Sequence, residues 1–262
     1  MEEEARSRRA LEGDLRNAIA RGEFELYYQS VIDIRTQEVC GAEALIRWHH
    51  AHRGLVGPDQ FISLAEETGL IVPLGEWILR QACADAARLP EHIKVAVNLS
   101  AAQFGKGDLL DIVTRALSDA NLPPHRLELE VTESTLLRNN GENLAILNEL
   151  KSLGVSIVLD DFGTGYSSLS HLRMFPFDKL KIDRSFVAEL SQRAECAAIV
   201  CAVIGLGRSL DAGTTAEGVE TLEQLELLRA AGCREAQGYL LSRPVPMSRL
   251  LLASPDRLRH TG

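Results

Sequence analysis

Short apolar runs alternate with amphipathic helical patterns along most of the chain. After residue 90, each run typical of a buried strand is followed by a segment whose apolar residues recur every three or four positions, the period of a helix face. The segment Asn143–Leu153, for example, places Ile146, Leu150 and Leu153 on one side of a helix. Regular alternation of this kind is typical of α/β proteins, in which helices pack on a parallel sheet.

The chain opens with a different pattern. Phe24–Ile34 and Val39–Trp48 are both typical of strands, and the intervening RTQE predicts a turn, so the first two strands should form an antiparallel hairpin. Further strands are predicted over Lys94–Leu99, Arg126–Val131, Val155–Leu159, Lys179–Ile182, Thr214–Ala216 and Glu235–Tyr239. Helices are predicted over Pro58–Thr68, Val72–Arg88, Leu109–Ala120, Asn143–Leu153, Tyr166–Met174, Glu195–Leu210 and Leu222–Ala231.

Eight strands that alternate with helices within 262 residues favour a (β/α)8 barrel. An open, doubly wound sheet is the alternative architecture. The opening hairpin would make one strand of such a barrel antiparallel. Because no linker or low-complexity segment interrupts the pattern, we expect a helical lead-in over residues 1–22 and one barrel domain over residues 23–255.

The composition argues against several classes of function. Lysines and arginines number 28 against 37 aspartates and glutamates, and the net charge of −9 disfavours binding to a nucleic-acid polymer or an anionic membrane surface. No apolar run approaches the roughly 18 residues that a membrane span requires. The five cysteines are scattered and form no CxxC or Cys/His cluster, so we expect them to be reduced, as in a cytosolic protein.

Side chains with oxygen donors recur at the carboxyl ends of the predicted strands. They are Glu43, Asn98, Glu130, Asp160, Asp161 and Glu217. The carboxyl ends of barrel strands converge on one mouth, where so many carboxylates need cations for charge balance. Oxygen donors without His or Cys suit Mg²⁺ or Mn²⁺ better than Zn²⁺. Paired ions of this kind hydrolyse phosphodiesters, so the adjacent aspartates are explained as ligands of two ions or as a bridge between them.

Each of these residues also has a purely structural explanation. A carboxylate at a strand end is most often a helix cap or a solvated charge; Asn98 would then cap a helix that starts near Ser100, and Lys181 would form a structural salt bridge. The loop GTGYSS lacks the lysine of a phosphate-binding Walker motif. The recurrence of acidic groups at the same end of successive strands is the feature that favours a metal-dependent enzyme.

Eight segments together resemble the EAL domain family of bacterial cyclic-di-GMP phosphodiesterases. They are, in order, AEALIRW, FISLAEETGLI, VNLSAAQF, LELEVTES, DDFGTGYSSL, LKIDRSFV, AEGVE and QGYLLSRPVP. The resemblance covers roughly residues 10–250. It implies a modified TIM-type (β/α)8 barrel with an antiparallel first strand, and hydrolysis of cyclic di-GMP to linear pGpG with Mg²⁺ or Mn²⁺, by two ions, in the bacterial cytoplasm.

The resemblance assigns roles position by position. Glu43, Asn98, Glu130 and Asp160 match the main metal ligands of the family. Asp161 matches the ligand of the second ion, Lys181 matches the lysine that holds the attacking water, and Glu217 matches the acidic residue near that water and the second ion. The catalytic candidates are therefore Glu43, Lys181 and Glu217.

The resemblance also implies contacts outside the metal site. Arg47 matches the arginine that contacts a substrate phosphate, and the further substrate-binding candidates are Gln29, Asp183 and Gln237. Glu133 matches the glutamate that anchors the loop Phe162–Leu169. Ser30 departs from the family, because a proline is common at this position, but no departure removes a metal ligand.

Two functions follow from the resemblance. An active phosphodiesterase is expected because the ligand set and the loop motif are complete. A catalytically inactive cyclic-di-GMP receptor is the alternative, and such receptors usually lack one or more of these residues. The partners expected are cyclic di-GMP, a second copy of the chain in a homodimer, and an upstream sensor domain in a longer signalling protein.

Overall fold

The computed structural model of the protein describes residues 2–104, 108–133, 135, 140–163 and 174–250. Its strands are β1 (Phe24–Asp33), β2 (Val39–His50), β3 (Gly54–Val56), β4 (Lys94–Leu99), β5 (Leu127–Thr132), β6 (Ser156–Phe162), β7 (Lys179–Ile182), β8 (Gly213–Ala216), β9 (Glu235–Ala236) and β10 (Val245–Pro246). Its α-helices are α1 (Glu2–Arg21), α2 (Ile62–Thr68), α3 (Ile71–Ala86), α4 (Ala101–Phe104), α5 (Leu109–Ala120), α6 (Asn140–Ser152), α7 (Arg184–Ala188), α8 (Ala194–Ser209), α9 (Leu222–Ala231) and α10 (Met247–Leu250).

Eight of these strands close into a barrel. From β2 through β4, β5, β6, β7, β8 and β9, each strand pairs in parallel with the next. β1 closes the ring by pairing antiparallel with both β2 and β9. The predicted barrel with an antiparallel first strand is therefore confirmed, and the open-sheet alternative is excluded.

The elements follow the sequence-based predictions with a few differences. The predicted helix Pro58–Thr68 is split into a 3-10 turn, Pro58–Gln60, and α2. The predicted last strand is shortened to β9 because the chain turns at Gly238, whose carbonyl accepts from the amides of Leu241 and Ser242. The short elements β3, β10, α4, α7 and α10 were not predicted. The predicted helix Tyr166–Met174 lies outside the described residues except for Met174.

The apolar core lies between the barrel wall and the helices. In β5, for example, Leu127, Leu129 and Val131 are almost completely buried and alternate with Glu128 and Glu130. Successive side chains of a strand point to opposite faces, so the apolar residues meet the helices while the carboxylates point into the barrel. Each buried leucine or valine contributes roughly 1.5–3 kcal/mol to folding.

The lead-in helix α1 packs on the barrel. Leu11, Leu15 and Ala18 are buried. Asp14 contacts the imidazole of the buried His50 at 3.1 Å, close to the end of β2. None of the described helices combines the length and the apolar character that crossing a bilayer requires.

Candidate active site

The carboxyl ends of the parallel strands bring the predicted ligands to one mouth of the barrel. Glu43, Glu130 and Asp160 are buried, Asp161 and Glu217 are partly buried, and Asn98 is exposed. The register explains this meeting, because Glu43 lies beside Ala96 of β4 and Asn98 lies beside Glu130 of β5. The six residues thus line a common site.

Lys181 of β7 is at the centre of the carboxylates. Its Nζ lies 2.5 Å from Glu217 Oε1 and 2.8 Å from Glu130 Oε2. Asp160 Oδ1 and Glu43 Oε2 follow at 3.5 and 3.6 Å. The side chain is only 3% exposed, so the ammonium exchanges its contacts with water for contacts with carboxylates.

The side chain of Glu43 is held from two sides. Asn98 Nδ2 donates to Oε1 at 2.7 Å. Gln237 Nε2 donates to Oε2 at 2.7 Å and also approaches Gln29 Oε1 at 3.1 Å. Burial alone raises the pKa of Glu43, but Lys181 and the two amide donors outweigh it and hold the pKa below its usual value. Glu43 is therefore ionised and fixed in place.

Two further partners of Lys181, Glu130 and Glu217, have the opposite tendency. Burial, together with the charge of Glu43, raises the pKa of Glu130 well above its usual value. Burial raises the pKa of Glu217 to about 7, although Lys181 opposes the shift. Burial lowers the pKa of Lys181, but the surrounding carboxylates reverse this and raise it well above the usual value. The site thus favours bound protons or cations that reduce its excess negative charge.

A local irregularity explains how two consecutive aspartates serve one site. The pairing of β6 with β7 shifts register between Leu159 and Phe162, and Asp161 has a left-handed backbone with φ 54°. In a regular strand, successive side chains point to opposite faces, but a bulge redirects one of them. Asp160, Asp161 and Glu217 consequently offer carboxylate oxygens within 4.8 Å of one another.

This donor set fits a hard divalent cation. The converging groups are carboxylates and one amide, with an oxygen-only trio at Asp160, Asp161 and Glu217. Mg²⁺ and Mn²⁺ prefer such ligands, whereas Zn²⁺ sites usually include His or Cys. Three of the predicted ligands, Asp160, Asp161 and Glu217, are close enough to share one ion, and the complete ligand set stays a prediction.

The remaining candidates are placed less directly. Arg47 donates to the carbonyl of Ile46 at 2.8 Å, and its guanidinium lies 5.5 Å from the ring centroid of Tyr27. Asp183 caps α7 by accepting from the amide of Ser185 at 3.0 Å, so its described contacts are structural. Its role in substrate binding stays a prediction.

Glu133 is 6% exposed, and neither of its carboxylate oxygens has a hydrogen-bond partner among the described residues. Its expected partners in the loop Phe162–Leu169 are Thr164 and Ser167, which lie outside the described residues. Its role in holding that loop stays a prediction.

Two supporting contacts were not predicted from the sequence. Ser242 accepts from Gln29 Nε2 at its carbonyl, at 2.9 Å, and from the Ser30 amide at its hydroxyl, at 3.0 Å. The unusual Ser30 was the available signal, because a proline has no amide hydrogen to donate.

A second ionic layer lies beneath the site. Lys179 Nζ contacts Glu128 at 2.8 Å and Glu235 at 2.7 Å, and a cavity of about 360 Å³ extends from these residues to Lys181 and Glu130. The alternating polar residues of LELE and KLKI were its signal in the sequence.

The chain is similar to known proteins over most of its length. The model of the EAL domain family matches residues 12–244. The chain is 51% identical over 98% of its length to the uncharacterised protein y4lL of Sinorhizobium fredii, of which it covers 31%. It is 48% identical over 91% of its length to the bifunctional diguanylate cyclase/cyclic di-GMP phosphodiesterase MucR of Pseudomonas aeruginosa, of which it covers 35%.

A solved structure is equally similar. The PaMucR phosphodiesterase in complex with c-di-GMP has a TM-score of 0.87 and 47% sequence identity, with 91% of this chain and 98% of that chain covered. The chain spans about a third of the length of the curated relatives that it matches.

Proposed function

Because the chain belongs to the EAL domain family, we propose that it is a metal-dependent phosphodiesterase that hydrolyses cyclic di-GMP to linear pGpG. The observation that carries this proposal is the arrangement around Lys181, where four carboxylates at the barrel mouth lie within 3.6 Å of its ammonium. A receptor that only binds the nucleotide does not require this set of groups. The similarity to MucR and its c-di-GMP complex supports the choice of substrate.

The proposal assigns Glu43, Asn98, Glu130 and Asp160 to one Mg²⁺ or Mn²⁺ ion. Asp161 and Glu217 complete a site for the second. When bound, such ions lower the pKa of water and stabilise charge on the phosphate oxygens. The chain itself contributes the fixed geometry, since Asn98 and Gln237 hold Glu43 in a single orientation.

Lys181 supplies the hydrogen bond that orients the attacking water. It keeps its proton at neutral pH, because the surrounding carboxylates raise its pKa. The water loses one proton as its oxygen forms a bond to phosphorus. The bond from phosphorus to the ribose 3′-oxygen breaks and that oxygen takes up one proton, so that one water is added overall. Arg47, at the rim of the mouth, binds a phosphate oxygen of the substrate.

The wider setting is also part of the proposal. Since the curated relatives are about three times as long, we infer that an upstream sensor domain controls the barrel in a bacterial cytoplasmic protein. A homodimer is inferred from the family resemblance. Sedimentation of the purified chain tests the dimer independently of activity.

The activity is tested by incubating the purified chain with cyclic di-GMP and Mg²⁺. The nucleotides are then separated by chromatography. Linear pGpG should accumulate. Asp160→Asn should reduce the rate at least about a hundredfold, because it removes a ligand charge. Asp119→Asn is the matched control, since the Asp119 side chain is 61% exposed and lies on α5 outside the site.

The outcomes separate the functions. Binding of cyclic di-GMP without turnover would support the receptor alternative. Substantial Mg²⁺-dependent turnover by Asp160→Asn would refute the ligand assignment. Absence of both binding and turnover in the wild-type chain would refute the proposed substrate.

A further inference from the structure

An exposed aromatic side chain lies close to the mouth of the barrel. Tyr239 is 53% exposed, and the guanidinium of Arg243 lies 4.5 Å from its ring centroid. The tyrosine follows Gln237 by two residues, and Gln237 donates to Glu43 inside the site. The pair therefore stands where the chain leaves the site and reaches the surface.

The segment that carries this pair is anchored on both sides. The amide of Leu240 donates to the carbonyl of Val219 at 3.0 Å, in the stretch that follows Glu217. Ser242 is bonded to Gln29 and to the amide of Ser30, both on β1. A side chain on such a segment loses less conformational freedom on binding a ligand than one on an unanchored loop.

The anchors connect the segment to the catalytic groups. Gln29 contacts Gln237 through its side-chain oxygen and Ser242 through its side-chain nitrogen. Hydrogen bonds through Gln29 and Gln237 thus connect the segment that carries Tyr239 with the side chain of Glu43. A flat ligand face resting on Tyr239 would be positioned relative to the reacting groups.

The other arginine–tyrosine pair, Arg47 with Tyr27, is less exposed than Arg243 with Tyr239. Arg47 and Tyr27 are both partly buried, and their separation is 5.5 Å. Arg47 is already assigned to a phosphate. The exposed ring of Tyr239, backed by Arg243, has no such assignment and presents a planar face to solvent.

We propose that Tyr239 and Arg243 form a stacking platform for one guanine base of the cyclic dinucleotide. This inference rests on the proposed function and names a substrate-binding site within it. Purine rings stack on aromatic side chains and on guanidinium planes, and the neighbouring cation strengthens the contact. The proposed function assigns the phosphates to the metal ions and Arg47, so the platform should determine affinity for the base and leave the bond cleavage to the other residues.

Steady-state kinetics of Tyr239→Ala test the platform. KM for cyclic di-GMP should rise about tenfold while kcat changes less than threefold, which is the size of one lost stacking contact. Arg243→Met should raise KM by a smaller factor. Tyr239→Phe should retain most of the affinity because the ring remains.

A phosphodiester substrate without a purine distinguishes a loss of base binding from a general loss of activity. For Tyr239→Ala, the ratio of kcat/KM for cyclic di-GMP to kcat/KM for bis(p-nitrophenyl) phosphate should fall about tenfold. Leu227→Ala is the control, since it truncates another exposed apolar side chain, on α9. Its ratio should equal that of the wild type.

Three results would overturn the platform. The first is an unchanged KM in Tyr239→Ala, and the second is an equal loss of kcat/KM on both substrates. The third is a change in sedimentation without a change in KM, which would indicate that Tyr239 contacts another protein chain. If the wild-type chain does not hydrolyse cyclic di-GMP, the proposed function fails. Equilibrium dialysis of cyclic di-GMP against wild type and Tyr239→Ala then still tests the platform.

Discussion

At the scale of single residues, Glu217 and Glu43 differ in protonation although both lie beside Lys181. Glu43 has two amide donors that favour its charged form, and its pKa is lowered. Glu217 is buried near Asp160 and Glu43, and its pKa is raised to about 7. Lys181 opposes the effect of burial at both carboxylates. At Glu43 the two amide donors add to the effect of Lys181, whereas at Glu217 the charges of Asp160 and Glu43 add to the effect of burial.

The raised pKa of Glu217 predicts a pH effect on the metal-free protein. The folded pKa of about 7 exceeds the ordinary value of 4.5, so the folded state binds the proton more tightly than the unfolded state. This contribution to stability is complete below pH 4.5 and is lost as the pH rises through about 7. Between those limits, wild type should lose up to about 3 kcal/mol of unfolding free energy relative to Glu217→Gln.

Urea unfolding in EDTA at several pH values between 4.5 and 8 measures this difference. The Glu217→Gln variant is the reference for the wild type, because its side chain at position 217 cannot titrate. Parallel stability curves for the two proteins would show that Glu217 has an ordinary pKa.

At the scale of elements, the strands are predictable from the sequence because inward polar residues alternate with outward apolar residues along them. This alternation fixes the face on which Asn98 and Glu130 lie, and their position near the carboxyl ends of β4 and β5 places them at the mouth. The bulge at Asp160 and Asp161 was not predictable, since it depends on register between β6 and β7 rather than on local propensity.

Contacts between distant segments could not be predicted from the sequence either. Ser242 bonds to Ser30 across 212 residues, and Lys181 selects Glu130 and Glu217 as its nearest partners through side-chain packing. A strand pattern fixes which face a side chain occupies, but neither of these contacts is a property of one strand.

The turn after β9 leads to a prediction about Gly238. A Cβ at this position would lie 2.2 Å from the amide nitrogen and the carbonyl oxygen of Val219, which are backbone atoms. Gly238→Ala should therefore destabilise the fold by about 2–3 kcal/mol and reduce activity, because the neighbouring Gln237 must move. Thermal unfolding and the cyclic di-GMP assay measure the two effects.

Gly205→Ala provides the matched control. Gly205 lies within α8, and an added Cβ there meets no atom within 4 Å. Alanine is the better helix former by about 1 kcal/mol, so this variant should be slightly more stable and fully active. Equal stability of the two variants would contradict the close contact at Gly238.

At the scale of the whole molecule, the barrel has a polar axis inside an apolar wall. The lower layer is balanced by its own ion pairs, because Lys179 and Lys94 face Glu128 and Glu235. The upper layer is not, since Lys181 faces four carboxylates. Stability of the folded chain should consequently respond to divalent cations at the upper layer.

Metal addition tests this expectation. At a hundred times its Kd, a bound ion adds about 2.7 kcal/mol to the unfolding free energy, which corresponds to a rise in Tm of about 5 °C or more for a protein of this size. Mg²⁺ and Mn²⁺ should raise the Tm of wild type and support turnover. Asp160→Asn should show little of either effect.

Ca²⁺ should separate stabilisation from catalysis. It binds oxygen ligands at longer distances and with looser geometry, so it acidifies water less. We expect Ca²⁺ to raise the Tm of the wild-type chain and to inhibit turnover in the presence of Mg²⁺. A Ca²⁺-supported rate equal to that with Mg²⁺ would contradict the proposed mechanism.

The antiparallel closure by β1 has a consequence for synthesis of the chain. Glu43 leaves the ribosome 194 residues before its partner Gln237, and β1 also awaits pairing with β9 and β10. A nascent barrel therefore keeps one open sheet edge and an incomplete catalytic site until nearly the whole domain has emerged. We expect the proposed activity to appear only with ring closure, and chains that terminate before it to expose a sheet edge that chaperones and proteases recognise.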